Sequence, residues 1–487
     1  MSECRYIKLR SYLESFMFGY HQILLQVVTI AAFCGVVNAQ APVVEPVEEP
    51  DRPSIFDGIR RIIGDSPAFD DNDATEGLVE SLNHAEKLYE DIRQSNREAI
   101  RGINRQVRIG RAKTSPNIIL ITVPQLRFDQ LPAMTRLTGL RTSGMTFTNY
   151  YAPAESLAAS RWSLMSGQLA STAPQDSQLD RSQSLAEAMW KAGYTTTVIG
   201  TWATSQHPIE LGYDHWTGFP SSSGVVAKYP EFFFTQSAKA KILNNKNSGQ
   251  PDSLQMVTNE VNEFLKQHQR EPRQFYLHVG LPFIQGSDPQ KNIQSVDAAL
   301  GEIIDSINSL GMGGRVCLMV AGERSHTLSA EIDKPLPVVD KKLSYSKNGL
   351  NEGNLRTPLI VFWGNRTPRG SVNDFPCTGI DFFPTLLSLA QAQKRTNGLA
   401  GVSLENAFQG KNMRLERLLY WKLEDGSQAA RRGRWKVIVP PNKQAIQLFD
   451  IESDPEESKN VASEYPDIVQ SFIVKSKAKQ TSDSEAL

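Results

Sequence analysis

From Ser115 onward the chain alternates between two hydrophobic patterns. Ser115-Pro-Asn-Ile-Ile-Leu-Ile-Thr-Val123 is a nearly unbroken apolar, β-branched run, the pattern of a strand buried on both faces of a parallel sheet. Met145-Thr-Phe-Thr is a second β-like run. Ser184 to Gly200 reads as a helix, a stop at Gly193 and a β-branched strand. Gln274 to Phe283 is strand-like, Val296 to Gly311 is amphipathic at helical spacing, Val316 to Val320 is apolar, and Ile380 to Ala390 is helical. Strands alternating with helices predict an α/β fold with a mainly parallel central sheet flanked by helices.

The pattern before Ser115 differs. Arg5, Lys8 and Arg10 precede an apolar run, Ile23 to Val37, followed by Val37-Asn-Ala39. A basic segment, an apolar segment and a small-x-small site predict an export signal over 1–39. The bland alternative is an uncleaved N-terminal anchor; a lipobox at Cys34 is weakened by the bulky Phe33. Residues 40–77, rich in Pro, Glu and Asp near their start, read as an acidic linker. Leu78, Leu82, Ala85, Tyr89, Ile92, Ala99, Ile103 and Val107 keep helical spacing, so 78–109 reads as a long amphipathic helix that packs on the domain or pairs with a partner.

Composition narrows the function classes. A net charge of −1 gives no global case for nucleic acid or an anionic membrane. With 40% hydrophobic residues the chain can bury a sizeable core. Loss of the signal would remove Cys4 and Cys34, leaving Cys317 and Cys377, too few for a disulfide framework.

The candidate chemistry gathers around Asn149-Tyr-Tyr-Ala-Pro-Ala-Glu-Ser-Leu-Ala-Ala-Ser-Arg-Trp-Ser-Leu-Met-Ser-Gly-Gln168, where a strand, a small-residue turn and a helix start follow one another. Helix N-terminal amides point outward at such a place and suit an anion or a nucleophile. The stretch resembles the signature region of the sulfatases, in the alkaline phosphatase superfamily, where a cysteine or serine is followed by x, Pro, Ser, Arg. Ser160, Arg161 and Gly167 fit that pattern. More motifs follow in the family's order: Met134 to Tyr150, Gly212-Tyr-Asp-His-Trp-Thr-Gly218, Ser346 to Val361, Ile380 to Ala390 and Gly401-Val-Ser-Leu404. The resemblance runs from about Ser115 to Phe472 and implies an alkaline phosphatase-like domain at 110–400. The runs Leu418–Trp421, Arg432–Ile438 and Gln447–Asp450 match the family's small antiparallel sheet, placed with a terminal helix in a subdomain at 401–487.

The departures fall on the chemistry. The position of the nucleophile, a cysteine oxidised to formylglycine in the family, is Leu157, and the proline position is Ala159. The positions implied for the calcium ligands are Pro124, Gln125, Gly322 and Glu323; proline and glycine side chains offer no oxygen, while Ca²⁺ takes six or more oxygen ligands. A lysine and two histidines facing the sulfate in the family are replaced by Thr201, Ala203 and Phe283. Arg161 and Lys347 remain as candidate anion contacts; their bland readings are a helix-start arginine paired with a carboxylate and a solvated loop lysine. His326 could face the pocket or the surface, Ser156 is the nearest hydroxyl to Leu157, and Asp129 and Asp297 are carboxylates nearby in sequence.

Removing one member of a catalytic unit already abolishes most of its rate. The expectation is therefore a sulfatase-like protein that does not hydrolyse sulfate esters, with no cofactor, and with a binding role whose ligand class is sulfated or acidic glycan. An unconventional hydrolase of sulfate or phosphate esters, and a scaffold acting through 78–109, are the alternatives. The export signal implies a periplasmic, secreted or cell-surface location.

Overall fold

The structure, a computed structural model, describes residues 115–473 apart from 174–177, 205, 222, 231, 235–239, 243–250, 285–287, 325–342, 344–348, 393–398, 414 and 442–445. The expected signal, linker and amphipathic helix, together with Lys347 and His326, lie outside the described residues.

A ten-stranded sheet is the centre of the molecule. In chain order its strands are β1 (Asn117–Pro124), β2 (Met145–Phe147), and, after a short β3 (Tyr150–Tyr151) outside it, β4 (Thr195–Trp202) and β5 (His215–Pro220). A short β6 (Val225–Val226) lies outside it, and β7 (Phe232–Phe234), β8 (Ala240–Ile242) and β9 (Phe275–Gly280) belong to it. A short β10 (Phe283–Ile284) pairs with β6, after which β11 (Val316–Arg324), β12 (Leu359–Trp363) and β13 (Ser371–Asn373) complete the sheet. The five middle strands run parallel in the order β11-β1-β9-β4-β5. Antiparallel pairs flank them at β11–β12, β12–β2, β5–β7 and β7–β8. This is the mainly parallel α/β sheet that the strand–helix alternation predicts.

β1 explains why its sequence has no polar face. Ile118 and Leu120 point into one core, Ile119, Ile121 and Val123 into the other, and all five are fully buried. The second core is closed by helices α1 (Thr135–Ser143), through Leu137 and Leu140, α4 (Ser253–His268), through Leu254, Val257, Val261 and Leu265, and α5 (Pro289–Ser309), through Ile293, Val296, Leu300 and Ile303. The first is closed by α2 (Leu157–Ser166), α3 (Leu185–Lys191), α7 (Phe382–Leu389) and α8 (Glu405–Phe408); the four-residue α6 (Glu352–Leu355) sits between β11 and β12 in the chain.

The C-terminal part holds a four-stranded antiparallel sheet, β15 (Leu418–Lys422), β16 (Gln428–Arg432), β17 (Trp435–Val439) and β18 (Gln447–Asp450), after a short β14 (Cys377–Thr378) that pairs with β3. A helix follows at 466–473. The boundary expected at 400/401 falls inside the main core, because Leu404, Ala407 and Phe408 pack there with Phe147. Cys317 and Cys377 are buried and unpaired with each other. No helix among the described residues is long and apolar enough to cross a membrane.

Candidate functional site

The parallel strands end together, and open α/β sheets place ligands beyond the carboxyl ends of their strands. β1 ends at Pro124, where its register with β11 shifts. The next residue, Gln125, has φ 62°, in the left-handed region that costs a non-glycine residue about 1 kcal/mol or more. β4 ends at Thr201 and Trp202, with Ala203 directly after; Gly322 and Glu323 lie near the end of β11; Phe283 follows β9 by three residues. Thr201, Ala203, Phe283 and Glu323 are all buried.

Helix α2 delivers Leu157 and Arg161 to these ends. Its first turn is capped by Ser156, whose hydroxyl accepts from the Ala159 amide at 3.1 Å. That hydroxyl, the nearest to Leu157 in sequence, is thus a helix cap. Leu157 itself is 1% exposed. A Cβ added at Gly224 would come within 2.5 Å of Pro124 Cγ and 2.9 Å of Leu157 Cδ2, so both side chains pack closely against Gly224. The Gly224 carbonyl accepts from the Phe283 amide at 2.9 Å. Pro124 and Leu157 therefore form an apolar plug at the Gly224 turn, to which Phe283 is tied through its backbone.

Beside the plug, Arg161 forms a two-pronged ion pair with Glu323: Nε donates to Oε1 at 2.5 Å and Nη2 to Oε2 at 2.6 Å. The two side chains are 1% and 2% exposed. Nη2 also lies 3.3 Å from Thr122 Oγ1 and Nη1 donates to the Thr201 carbonyl at 3.3 Å. The guanidinium lies 5.4 Å from the centre of the Trp202 ring, within cation–π range. Burial works against the guanidinium charge, and Glu323 more than offsets it, leaving Arg161 more firmly protonated than an ordinary arginine.

Behind the pair runs a polar line that sequence reasoning missed. Thr122 Oγ1 is 3.2 Å from His278 Nε2, and His278 Nδ1 is 3.2 Å from the Tyr213 hydroxyl. Burial, with Arg161 adding to it, holds His278 well below the usual histidine range, so it stays neutral. The available signal was a Thr and a His interrupting the apolar runs of β1 and β9.

Two expectations change here. Arg161, a candidate anion contact, already has its charge matched by a buried carboxylate, the blander of its two sequence readings. Asp129 and Asp297 are engaged elsewhere: Asp129 accepts two hydrogen bonds from the Arg127 guanidinium, and Asp297 accepts from the Arg136 and Leu137 amides at the start of α1. Sequence gave no geometry for recruiting them, and the fold uses them for local structure.

A calcium site built from these residues does not fit. Both oxygens of Glu323 face Arg161, whose positive charge opposes a second cation. A side chain at Gly322 would begin 2.7 Å from Thr357 Cβ. Among the described residues no group of three or more His, Cys, Asp or Glu is placed to hold a metal ion.

Two family models match this chain: Sulfatase over residues 116–282, and the C-terminal domain of N-sulphoglucosamine sulphohydrolase over 340–482. The chain belongs to the sulfatase family. It is 23% identical over 440 residues to arylsulfatase G of Rattus norvegicus, covering 72% of this chain and 84% of that one. It is 21% identical over 494 residues to an N-acetylgalactosamine-6-O-sulfatase of Bacteroides thetaiotaomicron, covering 76% and 94%. The structure of a sulfatase from Pseudoalteromonas sp. superposes with a TM-score of 0.65 at 18% identity, covering 80% of this sulfatase-family chain and 95% of that one; at that identity the likeness speaks for the fold.

Proposed function

We propose that this chain is a pseudo-sulfatase: an exported protein that keeps the sulfatase fold, does not hydrolyse sulfate esters, and acts by binding sulfated or acidic glycans. The observation that carries the reading is the Arg161–Glu323 pair. A sulfatase needs cationic donors aimed at a dianionic group and at charge developing in the transition state. Here the buried cation at the strand ends is aimed at the protein's own carboxylate. The nucleophile position carries Leu157, which offers neither nucleophile nor ionisable group, and Ser156, its hydroxyl neighbour, caps α2.

The glycan class is supported by the name of a sugar-directed relative, an N-acetylgalactosamine-6-O-sulfatase, and by Lys347, the remaining candidate cation. Retention of the purified chain on immobilised sulfated glycan tests the reading. Retention that weakens as salt is raised, without release of inorganic sulfate, is expected. Release of sulfate in proportion to protein added, or no retention on any sulfated or carboxylated glycan, would overturn it. One second reading has an observation behind it. The relatives carry the names of active sulfatases, which favours an unconventional hydrolase, and the same sulfate-release assay separates the two.

A further inference from the structure

We infer that the guanidinium of Arg161 is a permanent, built-in cation at the strand ends, and that the native fold is therefore independent of divalent metal. Four elements converge on this one group. It comes from α2, and its partners are Glu323 on β11, Thr122 on β1 and the Thr201 carbonyl on β4. β11 and β1 are ladder neighbours, β4 is separated from β1 by β9, and the guanidinium lies over the Trp202 ring, 5.4 Å from its centre. A metal ion crosslinks converging strands by gathering carboxylates. The guanidinium does so with fixed, planar donors matched to one carboxylate and to neutral oxygens. It cannot be chelated away and does not lose its proton in water.

The surroundings are built for this arrangement. Among the described residues Glu323 is the only carboxylate bonded to Arg161, so these two buried charges balance one to one. The neighbouring position on β11 is closed to a larger side chain by Thr357, and Pro124 and Leu157 both pack against the Gly224 turn. His278 on the next strand stays neutral, so no second positive charge competes. The inference does not depend on the absence of turnover.

Thermal unfolding of the purified chain tests it. The wild type should melt at the same temperature, within about a degree, in EDTA and in millimolar Ca²⁺, because a ligand of the native state would raise the melting point by mass action. Arg161→Met and Glu323→Gln should each lower it by about 5 °C or more, since each leaves a buried charge or dipole unmatched. The double variant Arg161→Met/Glu323→Leu should regain most of that loss, which measures the coupling between the two. Calcium should rescue neither single variant. A saturable rise with Ca²⁺ that EDTA reverses would overturn the inference, as would single variants that melt like the wild type. If a single variant fails to fold, the double variant and the wild-type calcium titration still decide. Turnover without any metal response would sink the pseudo-sulfatase reading and leave this inference standing; a calcium response without turnover would do the reverse.

Discussion

Two of the buried charge clusters among the described residues differ in what surrounds them. At the strand ends one arginine meets one carboxylate, with Thr122, Thr201 and the His278–Tyr213 line beside it. Between the main domain and the small sheet, Lys436 on β17 bridges Glu352 on α6 at 3.0 Å and Glu457 at 2.9 Å. Tyr151 donates to Glu352 at 2.8 Å, and Arg431 reaches the Tyr151 hydroxyl. Every charged member of this second cluster is under 9% exposed. Burial of charge alone therefore does not mark a site. The seam cluster ties two sheets together through side chains from four elements. The strand-end pair lies where the fold places ligands, and there the same chemistry fills the space.

The titratable groups of the two clusters are shifted by different neighbours. Burial pushes the Glu352 carboxyl up, but Lys436, Arg431 and Arg356 more than offset it and leave it below the usual range. Burial and then the nearby Glu352 charge outweigh the pull of Lys436 and leave Glu457 raised. At the strand ends burial holds His278 down, with Arg161 adding to it, while Glu323 holds Arg161 up against burial.

The comparison can be broken most sharply at Lys436. Lys436→Met leaves two buried carboxylates facing each other and should cost about 3–5 kcal/mol or more in denaturant unfolding, at least as much as either single change at the strand ends. A loss under about 1 kcal/mol would show that the seam is held by apolar packing instead.

The next effect is a slope. The folded pKa of His278 lies below the unfolded value of 6.5, so the unfolded chain binds more protons once pH drops below 6.5. Stability is then fully present above that pH and declines as pH falls toward the folded value, by up to about 1.4 kcal/mol per pH unit. His278→Gln should flatten this decline between roughly pH 6.5 and 5, read from unfolding midpoints across pH. An unchanged slope would mean that His278 accepts a proton in place.

Glu457 should give a slope of the other sign. Its raised folded pKa means that the native state holds its proton more tightly, so this contribution is present below the unfolded value of 4.5 and is lost as pH rises through the folded value. Glu457→Gln should remove that loss; steeper destabilisation with rising pH in the variant would contradict the assignment. The smallest expected change is at Gln125. Gln125→Gly relieves a φ of 62° at some cost in unfolded-state entropy, so stability should rise by under about 1 kcal/mol. A clear loss would show that the Gln125 side chain holds the end of β1.

Much of this was legible in the sequence, for reasons that can be named. β1 and β11 are unbroken apolar runs because both of their faces are covered, and no other environment asks for that pattern. That Pro124 and Gly322 offer no ligand oxygen and Leu157 no nucleophile was readable because those side chains lack the atoms required, whatever the geometry. The Arg161–Glu323 pair was not readable: 162 residues separate the partners, and no local period links them. His278 was hidden for the same reason, since a histidine in an apolar strand looks alike whether its partner is a threonine, a metal or a ligand. The return of Phe408 to pack on Phe147 was hidden for the same reason, since 261 residues separate the two.

The most direct measurement is turnover of a chromogenic aryl sulfate by the purified chain, with and without Ca²⁺, beside Leu157→Cys and Ser156→Ala. The expected result is no sulfate release from any of the three proteins, because a cysteine at 157 would still face Arg161 committed to Glu323, beside Pro124 and Gly322, whose side chains offer no oxygen to a metal. Release by the unmodified chain that grows with purity and survives Ser156→Ala would contradict the pseudo-sulfatase reading.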